Sequence, residues 1–247
     1  MIELDHVTRM FGSFCAVDDL CLRVPQGELF CFLGPNGAGK TTTIKMLTGL
    51  LRPTRGAARI GGVDVQADPV AVKRMIGYIP DVPYVYERLT PGEFFEFIGD
   101  LYHVPRDRVE RDRETSFELF GLGGYRDHLI KDLSHGYRQR LIYAATFLHE
   151  PRVLFIDEPL VGLDPHTIRL IKKLLVEKTK AGMTIFFTTH ILAIAEDIAD
   201  RIGIILNGRL RALGTLADLR RESGVAGTLE DVFIHLTEGT EELPIAD

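Results

Sequence analysis

The sequence lacks an apolar run long enough to cross a membrane, since a spanning helix requires roughly 20 consecutive apolar residues. Its best candidate, residues 182–195, is 14 residues long and contains Thr188, Thr189 and His190. We therefore predict a core strand followed by a helix in this stretch, rather than a transmembrane span.

The sequence is also poor in cysteine and has no excess of positive charge. Cys15, Cys21 and Cys31 lie in a strand-rich region without zinc-like pairing, which indicates small buried residues in a reducing compartment. The formal net charge of −6 argues against a broad basic surface for nucleic acid. Residues 1–5 alternate like a strand and do not resemble a signal peptide. These features favour a soluble cytoplasmic protein without a nucleic-acid partner.

One glycine-rich segment matches the pattern G-x-x-x-x-G-K-[ST], and it reads Gly34-Pro35-Asn36-Gly37-Ala38-Gly39-Lys40-Thr41-Thr42. An apolar run at 28–33 predicts a buried strand before it, and 43–50 is compatible with a helix after it, which is the context this motif requires. Its glycines let backbone N–H groups converge on phosphate oxygens. Lys40 offers charge to the outer phosphates and Thr41 offers a hydroxyl to Mg²⁺. The segment therefore predicts a nucleoside triphosphate site.

Apolar patterning along the rest of the chain predicts an α/β fold with an inserted helical region. Strands are expected within 1–33, 57–65, 76–79, 153–156 and 184–188, helices at 70–75 and 165–180, and a hairpin of 202–206 with 209–212 across Asn207-Gly208. We expect a core formed by residues 1–80 and 151–214, which includes an antiparallel β-subdomain. Residues 81–150 are expected to form a helical subdomain, and 215–247 small helices and a tail.

Two acidic residues, Asp157 and Glu158, follow the predicted strand 153–156. Open α/β sheets bind ligands at the carboxyl ends of their strands. Asp157 is suited to hold Mg²⁺, and Glu158 is suited to act as general base or to position a water. His190, at the end of the next core strand, is placed to reach the γ-phosphate. Adjacent acids and a lone histidine also occur as solvated or structural residues, but together with the glycine-rich loop they favour a hydrolytic site.

The order of these segments resembles the ATP-binding subunits of ABC transporters across about residues 1–235. Residues 34–42 and 153–159 resemble the two Walker motifs. The segment 133–140, with the sequence LSHGYRQR, resembles the signature motif. Residues 162–165 are similar to the D-loop and 188–190 to the switch-histidine segment. The signature between two Walker motifs is specific to this class.

The resemblance implies a fold, a mechanism and partners. The fold is a P-loop NTPase core with a mostly parallel sheet, plus an antiparallel β-subdomain and an inserted α-helical subdomain. ATP and Mg²⁺ are the implied cofactors, and Phe11 falls where the family stacks an aromatic ring on adenine. Two copies, or this chain and a paralogue, pair head to tail, so that Ser134 and Gly136 of one complete the site of the other. A transmembrane permease subunit is the implied partner, and residues 81–97 of this chain are the implied docking surface for it. This partner would place the chain on the inner face of the membrane.

Three positions depart from the family pattern. Asp81 stands where the Q-loop of the family has glutamine, and it is a further candidate metal ligand. In the signature, His135 replaces a glycine and Tyr137 replaces a glutamine. The end of the chain, 228–233, resembles ABC-2-type exporter ATPases. Two alternatives stay open: a nucleotide-gated regulatory module with little hydrolysis, and a non-transport ABC ATPase.

Overall fold

The computed structural model describes residues 1–82, 84–160, 163–225 and 227–237. Its strands are β1 (Ile2–Phe11), β2 (Phe14–Val24), β3 (Leu29–Leu33), β4 (Arg55–Ile60), β5 (Val63–Asp64), β6 (Ile76–Ile79), β7 (Val153–Asp157), β8 (Thr184–Thr189), β9 (Arg201–Leu206) and β10 (Arg209–Gly214). Its α-helices are α1 (Lys40–Leu47), α2 (Pro69–Met75), α3 (Pro91–Leu101), α4 (Arg106–Leu119), α5 (His135–Phe147), α6 (Pro165–Lys180), α7 (Leu192–Ile198), α8 (Leu216–Ser223) and α9 (Leu229–Thr237).

The strands form two sheets. An antiparallel sheet has the order β2-β1-β4-β5, and a larger sheet has the order β10-β9-β3-β8-β7-β6. The neighbours from β9 to β6 pair in parallel, whereas β10 pairs antiparallel with β9. The β9–β10 turn has positive φ at both Asn207 (49°) and Gly208 (75°), as a type I′ turn requires. The predicted hairpin is confirmed.

The central strand β3 is buried on both of its faces, as its continuous apolar sequence predicts. Leu29, Cys31 and Leu33 pack into the core that contains α3–α6. Phe30 and Phe32 point the other way, into the core shared with the antiparallel sheet and α1. Two cores therefore meet at β3 and fix the strand that leads into the glycine-rich loop.

Helix α1 begins earlier than the sequence pattern predicts, at Lys40 instead of residue 43. Gly39 adopts φ 105°, a left-handed conformation, and acts as the N-cap, so the helix starts directly after the loop. It ends at Leu47, followed by Gly49 at φ 72°, a conformation that commonly terminates helices. The result is a short helix whose first turn belongs to the loop.

The chain leaves the larger sheet after β6, forms helices α3–α5, and returns to the sheet at β7. Phe95 of α3 and Phe117 of α4 pack edge to face, with ring centroids 5.6 Å apart. Ser134 caps α5, because its hydroxyl accepts a hydrogen bond from the backbone N–H of Tyr137 at 3.4 Å. No helix within the described ranges is long and apolar enough to span a bilayer.

Candidate functional site

The predicted loop and the predicted acidic pair lie at the same edge of the larger sheet. The strands β3, β8 and β7 are parallel neighbours, so their carboxyl ends meet. Residues 34–39 follow β3, Glu158 follows β7, and His190 follows β8. Parallel pairing therefore brings together three segments that are far apart in sequence.

The glycine-rich loop is held by close backbone packing. A Cβ at Gly34 would collide with the carbonyl oxygen of Ile205, and a Cβ at Gly39 would lie 2.5 Å from the carbonyl oxygen of Ala16. The backbone N–H of Gly208 donates to the carbonyl of Ala38 at 3.1 Å. A side chain does not fit at the first or last of these glycines, so the sequence has glycine there for steric reasons.

Lys40 lies inside the curl of the loop. Only 6% of Lys40 is exposed, and its ammonium group donates to the carbonyl oxygens of Gly34 (2.7 Å) and Pro35 (3.1 Å). The same nitrogen lies 3.6 Å from Oε1 of Glu158. A cation at this depth has to be partnered by charge or by hydrogen bonds, and Lys40 has both.

The two acids have different environments. Asp157 is buried, and its Oδ1 accepts a hydrogen bond from the hydroxyl of Thr188 at 2.5 Å. Glu158 has φ 52°, a conformation that is uncommon for residues other than glycine, and its N–H donates to the carbonyl of Thr188 at 3.2 Å. Its Oε1 lies 3.0 Å from Nδ1 of His190. Its Oε2 is buried without a hydrogen-bond partner among the described residues.

A cavity of about 310 Å³ opens over the loop and both acids. Its lining consists of Phe11, Phe14, Ala16, Asn36, Gly37, Gly39, Lys40, Thr41, Thr42, Asp81, Asp157 and Glu158. Burial raises the pKa of Asp81, and the negative charges of Asp157 and Glu158 raise that pKa further. The imidazoles of His135 and His190 oppose this shift. Asp81 therefore belongs to the same electrostatic environment as the acidic pair.

The predicted signature residues are not brought into this cavity. Ser134 is exposed and Gly136 is half-buried at the start of α5, and neither belongs to the cavity lining given above. Gly162, part of the predicted D-loop, lies outside the described residues. Asp164 of that segment caps α6 by accepting hydrogen bonds from two backbone N–H groups, and Arg140 of α5 pairs with it at 3.0 Å.

The chain is similar to known proteins over most of its length. Residues 17–161 match the family model described as ABC transporter. The chain belongs to the ABC transporter family. A solved structure described as the ATP binding subunit of an ABC transporter superposes with a TM-score of 0.92 at 34% identity, covering 96% of this chain and 99% of that chain. These matches confirm the predicted family and the P-loop NTPase fold class.

Two curated relatives of this family are named for drug transport or resistance. The probable multidrug ABC transporter ATP-binding protein YbhF of Escherichia coli is 37% identical over 96% of this chain and 41% of its own length. The daunorubicin/doxorubicin resistance ATP-binding protein DrrA of Streptomyces peucetius is 40% identical over 90% of this chain and 68% of its own length. The chain thus spans less than half of the first relative.

Sequence reasoning gave no individual role to three residues of this ABC site. The sequence places Thr188 only in the switch-histidine segment, because its contact with Asp157 depends on strand register. Phe14 and Ala16 enter the cavity lining through the β1–β2 hairpin. A signal existed for Phe14, since a turn at 12–13 pairs residue 14 with Phe11.

Proposed function

We propose that this chain binds Mg-ATP over the loop 34–42, hydrolyses it, and drives a separate membrane subunit of an ABC-2-type exporter. The observation that carries the proposal is the chain of contacts Lys40–Glu158–His190, at 3.6 Å and 3.0 Å, beside a phosphate-binding loop. It combines a cation for phosphate, a candidate general base and an orienting imidazole at one sheet edge.

The nucleotide contacts are proposed as follows. Backbone N–H groups of the loop and the positive end of α1 hold the phosphates, and Lys40 neutralises the outer ones. Thr41 and Asp157 would hold Mg²⁺, with Asp81 as a further ligand. Hydroxyl and carboxylate oxygens are the donors that Mg²⁺ prefers, and a site with few protein ligands suits an ion that keeps waters and binds substrate phosphates. When bound, the ion offsets the charge that develops during phosphoryl transfer.

Glu158 is proposed as the general base. Its Oε1 is engaged by Lys40 and His190, whereas its buried Oε2 has no partner among the described residues. Glu158 also lines the cavity over the loop, where its carboxylate would accept a proton from an attacking water. His190 is proposed to hold the carboxylate in this orientation and to reach toward the γ-phosphate.

A second copy, or a paralogue, is proposed to complete each site. The cavity over Lys40 does not include Ser134 or Gly136, yet both lie at the N-terminus of α5, where anions bind well. Head-to-tail pairing would bring this N-terminus to the phosphates held by the partner's loop. The position of α3–α5 between β6 and β7 supports the proposed division into 1–80 with 151–214, 81–150 and 215–247.

The permease is proposed to dock beside the Asp81 segment. Several large apolar side chains are exposed there, and we call them the aromatic surface: Val82, Tyr84, Tyr86, Phe97 and Leu101. The rings of Tyr86 and Phe97 pack edge to face at 5.2 Å, so these two side chains form a continuous apolar contact. The drug-related names of the relatives and the segment 228–233 support an exporter role. Docking there would place the chain on the cytoplasmic face of a membrane.

The first experiment compares wild-type chain with Glu158→Gln by light scattering after size exclusion, with and without Mg-ATP, beside phosphate release. We expect Glu158→Gln to bind ATP and form an ATP-dependent dimer, while its hydrolysis falls by about 10²–10⁴-fold. Glu177→Gln, on the exposed face of α6, is the matched control and should hydrolyse at the wild-type rate. A wild-type chain that binds ATP without hydrolysing it would favour the regulatory module. That alternative is supported by Asp81 and His135, which depart from the family pattern.

A further inference from the structure

The tip of the β1–β2 hairpin presents two phenylalanines to the nucleotide cavity. Phe11 and Phe14 are directly opposite in the antiparallel register, across a turn at 12–13. Directly opposite residues point to the same face of a sheet. Both rings line the cavity that also contains Lys40 and Thr42. The hairpin therefore places a pair of aromatic side chains on the same wall of this cavity.

Both rings are more exposed than phenylalanine normally is. Phe11 is 46% exposed and Phe14 is 59% exposed, and in the described part of the chain neither packs against another aromatic ring. Exposed apolar side chains that converge on a cavity are typical of ligand contacts. Since the pair is separate from the aromatic surface, a permease there would leave it open to the nucleotide.

Arg9 supports the first of these rings. It lies two residues before Phe11 on β1, so both side chains are on one face. Its guanidinium carbon lies 4.5 Å from the centroid of the Phe11 ring. Its Nη1 donates to the carbonyl of Arg52 at 2.9 Å, which ties the hairpin to the segment after α1. Arg9 therefore covers and fixes one face of Phe11 and leaves the other available.

We infer that Phe14 is a second base-contacting residue, that Arg9 positions Phe11, and that together they favour purine over pyrimidine triphosphates. This inference rests on the proposed function. A purine has two fused rings and offers more stacking area than a pyrimidine, so a two-ring platform discriminates by size. Stacking is insensitive to the base edge, so ATP and GTP should be bound similarly.

The test measures binding of Mg-ATP, Mg-CTP and inorganic tripolyphosphate by calorimetry to the full chain. Variants are Phe14→Leu, Arg9→Met and Arg9→Lys, and Leu119→Ala on α4 is the control for loss of an exposed large apolar side chain elsewhere. Tripolyphosphate uses the loop and Lys40 alone, so its affinity reports whether a variant retains the folded phosphate site.

We expect Phe14→Leu to weaken ATP binding about 5- to 10-fold, the lower part of the range for loss of one stacked ring. CTP should lose less, and tripolyphosphate should bind as to the wild type. Arg9→Met should weaken ATP about 2- to 5-fold, as for an exposed cation–π pair, and Arg9→Lys should restore part of this loss. Leu119→Ala should change none of the three affinities.

Three outcomes overturn the inference. Wild-type ATP affinity in Phe14→Leu would show that this ring does not contact the base. An equal loss for ATP and tripolyphosphate would show that the substitution acts through the fold of the loop. If the wild-type chain binds neither ATP nor tripolyphosphate, the proposed function fails together with the inference, whereas a wild type that binds both leaves the proposed function standing.

Discussion

The hydroxyl of Thr188 is the feature of the site whose energy can be worked out most directly. It donates to Oδ1 of Asp157 at 2.5 Å, and both residues are buried. A hydrogen bond to a charged group is worth about 1.5–3 kcal/mol. Thr188→Val keeps the shape of the side chain and removes the donor. We therefore expect the free energy of unfolding to fall by about 1.5–3 kcal/mol, or a melting temperature lower by about 3–12 °C for a domain of this size.

The same strand supplies the control. Thr184 is equally buried on β8, and its hydroxyl accepts a hydrogen bond from the neutral N–H of Gly27 at 3.0 Å. Thr184→Val should cost about 0.5–1.5 kcal/mol, the range for a neutral pair. Urea unfolding of both variants measures the difference. The reasoning is refuted if Thr188→Val is no more destabilising than Thr184→Val, because the charge of Asp157 would then contribute nothing.

Three further perturbations follow from the structure. Burial lowers the pKa of His149, so the folded state favours its neutral form, and stability should decline as pH falls from about 7 through the folded-state pKa. In His149→Phe the urea midpoint should decline less steeply with pH. An identical slope in the variant and the wild type would contradict this cause. Gly39→Ala should abolish measurable ATP binding, because its Cβ meets the Ala16 carbonyl. Gly37→Ala should weaken binding far less, since Gly37 has φ 79° but open space around it. Equal ATP affinities of the two variants would rule out the clash. Asp81→Gln should change permease-stimulated hydrolysis more than basal hydrolysis, and equal effects on the two rates would refute a coupling role.

The sheet and its edge were predictable because apolar runs carry the information. Residues 29–33, 153–156 and 184–188 are buried on both faces, and the last two runs lead into Asp157-Glu158 and Thr189-His190. Parallel neighbours place those ends together, and the strand order β3-β8-β7 brings Lys40, Glu158 and His190 to one edge of the sheet. The hairpin at Asn207-Gly208 followed from the need for two positive φ angles.

Contacts that depend on register or on a single torsion were not predictable. The bond between Thr188 and Asp157 requires that β7 and β8 pair with Asp157 opposite Thr188, and no pattern within either strand specifies this offset. The early start of α1 depends on the left-handed conformation of Gly39. The sequence also could not predict which phenylalanines of α3 are buried. Phe94 and Phe97 are three residues apart and therefore lie on the same side of the helix, yet of these two only Phe94 is buried.

The sharing of Lys40 between the loop and Glu158 connects ATP binding to catalysis. Its ammonium group lies closer to the loop carbonyls, at 2.7 and 3.1 Å, than to Glu158, at 3.6 Å. Under the proposed function, phosphate oxygens compete with Glu158 for this cation, and the longer contact is the one that is weakened first. The bond of Glu158 to His190 then keeps the carboxylate in place with less positive charge beside it. Arrival of the substrate would therefore leave His190 as the neighbour that orients the Glu158 carboxylate, at 3.0 Å.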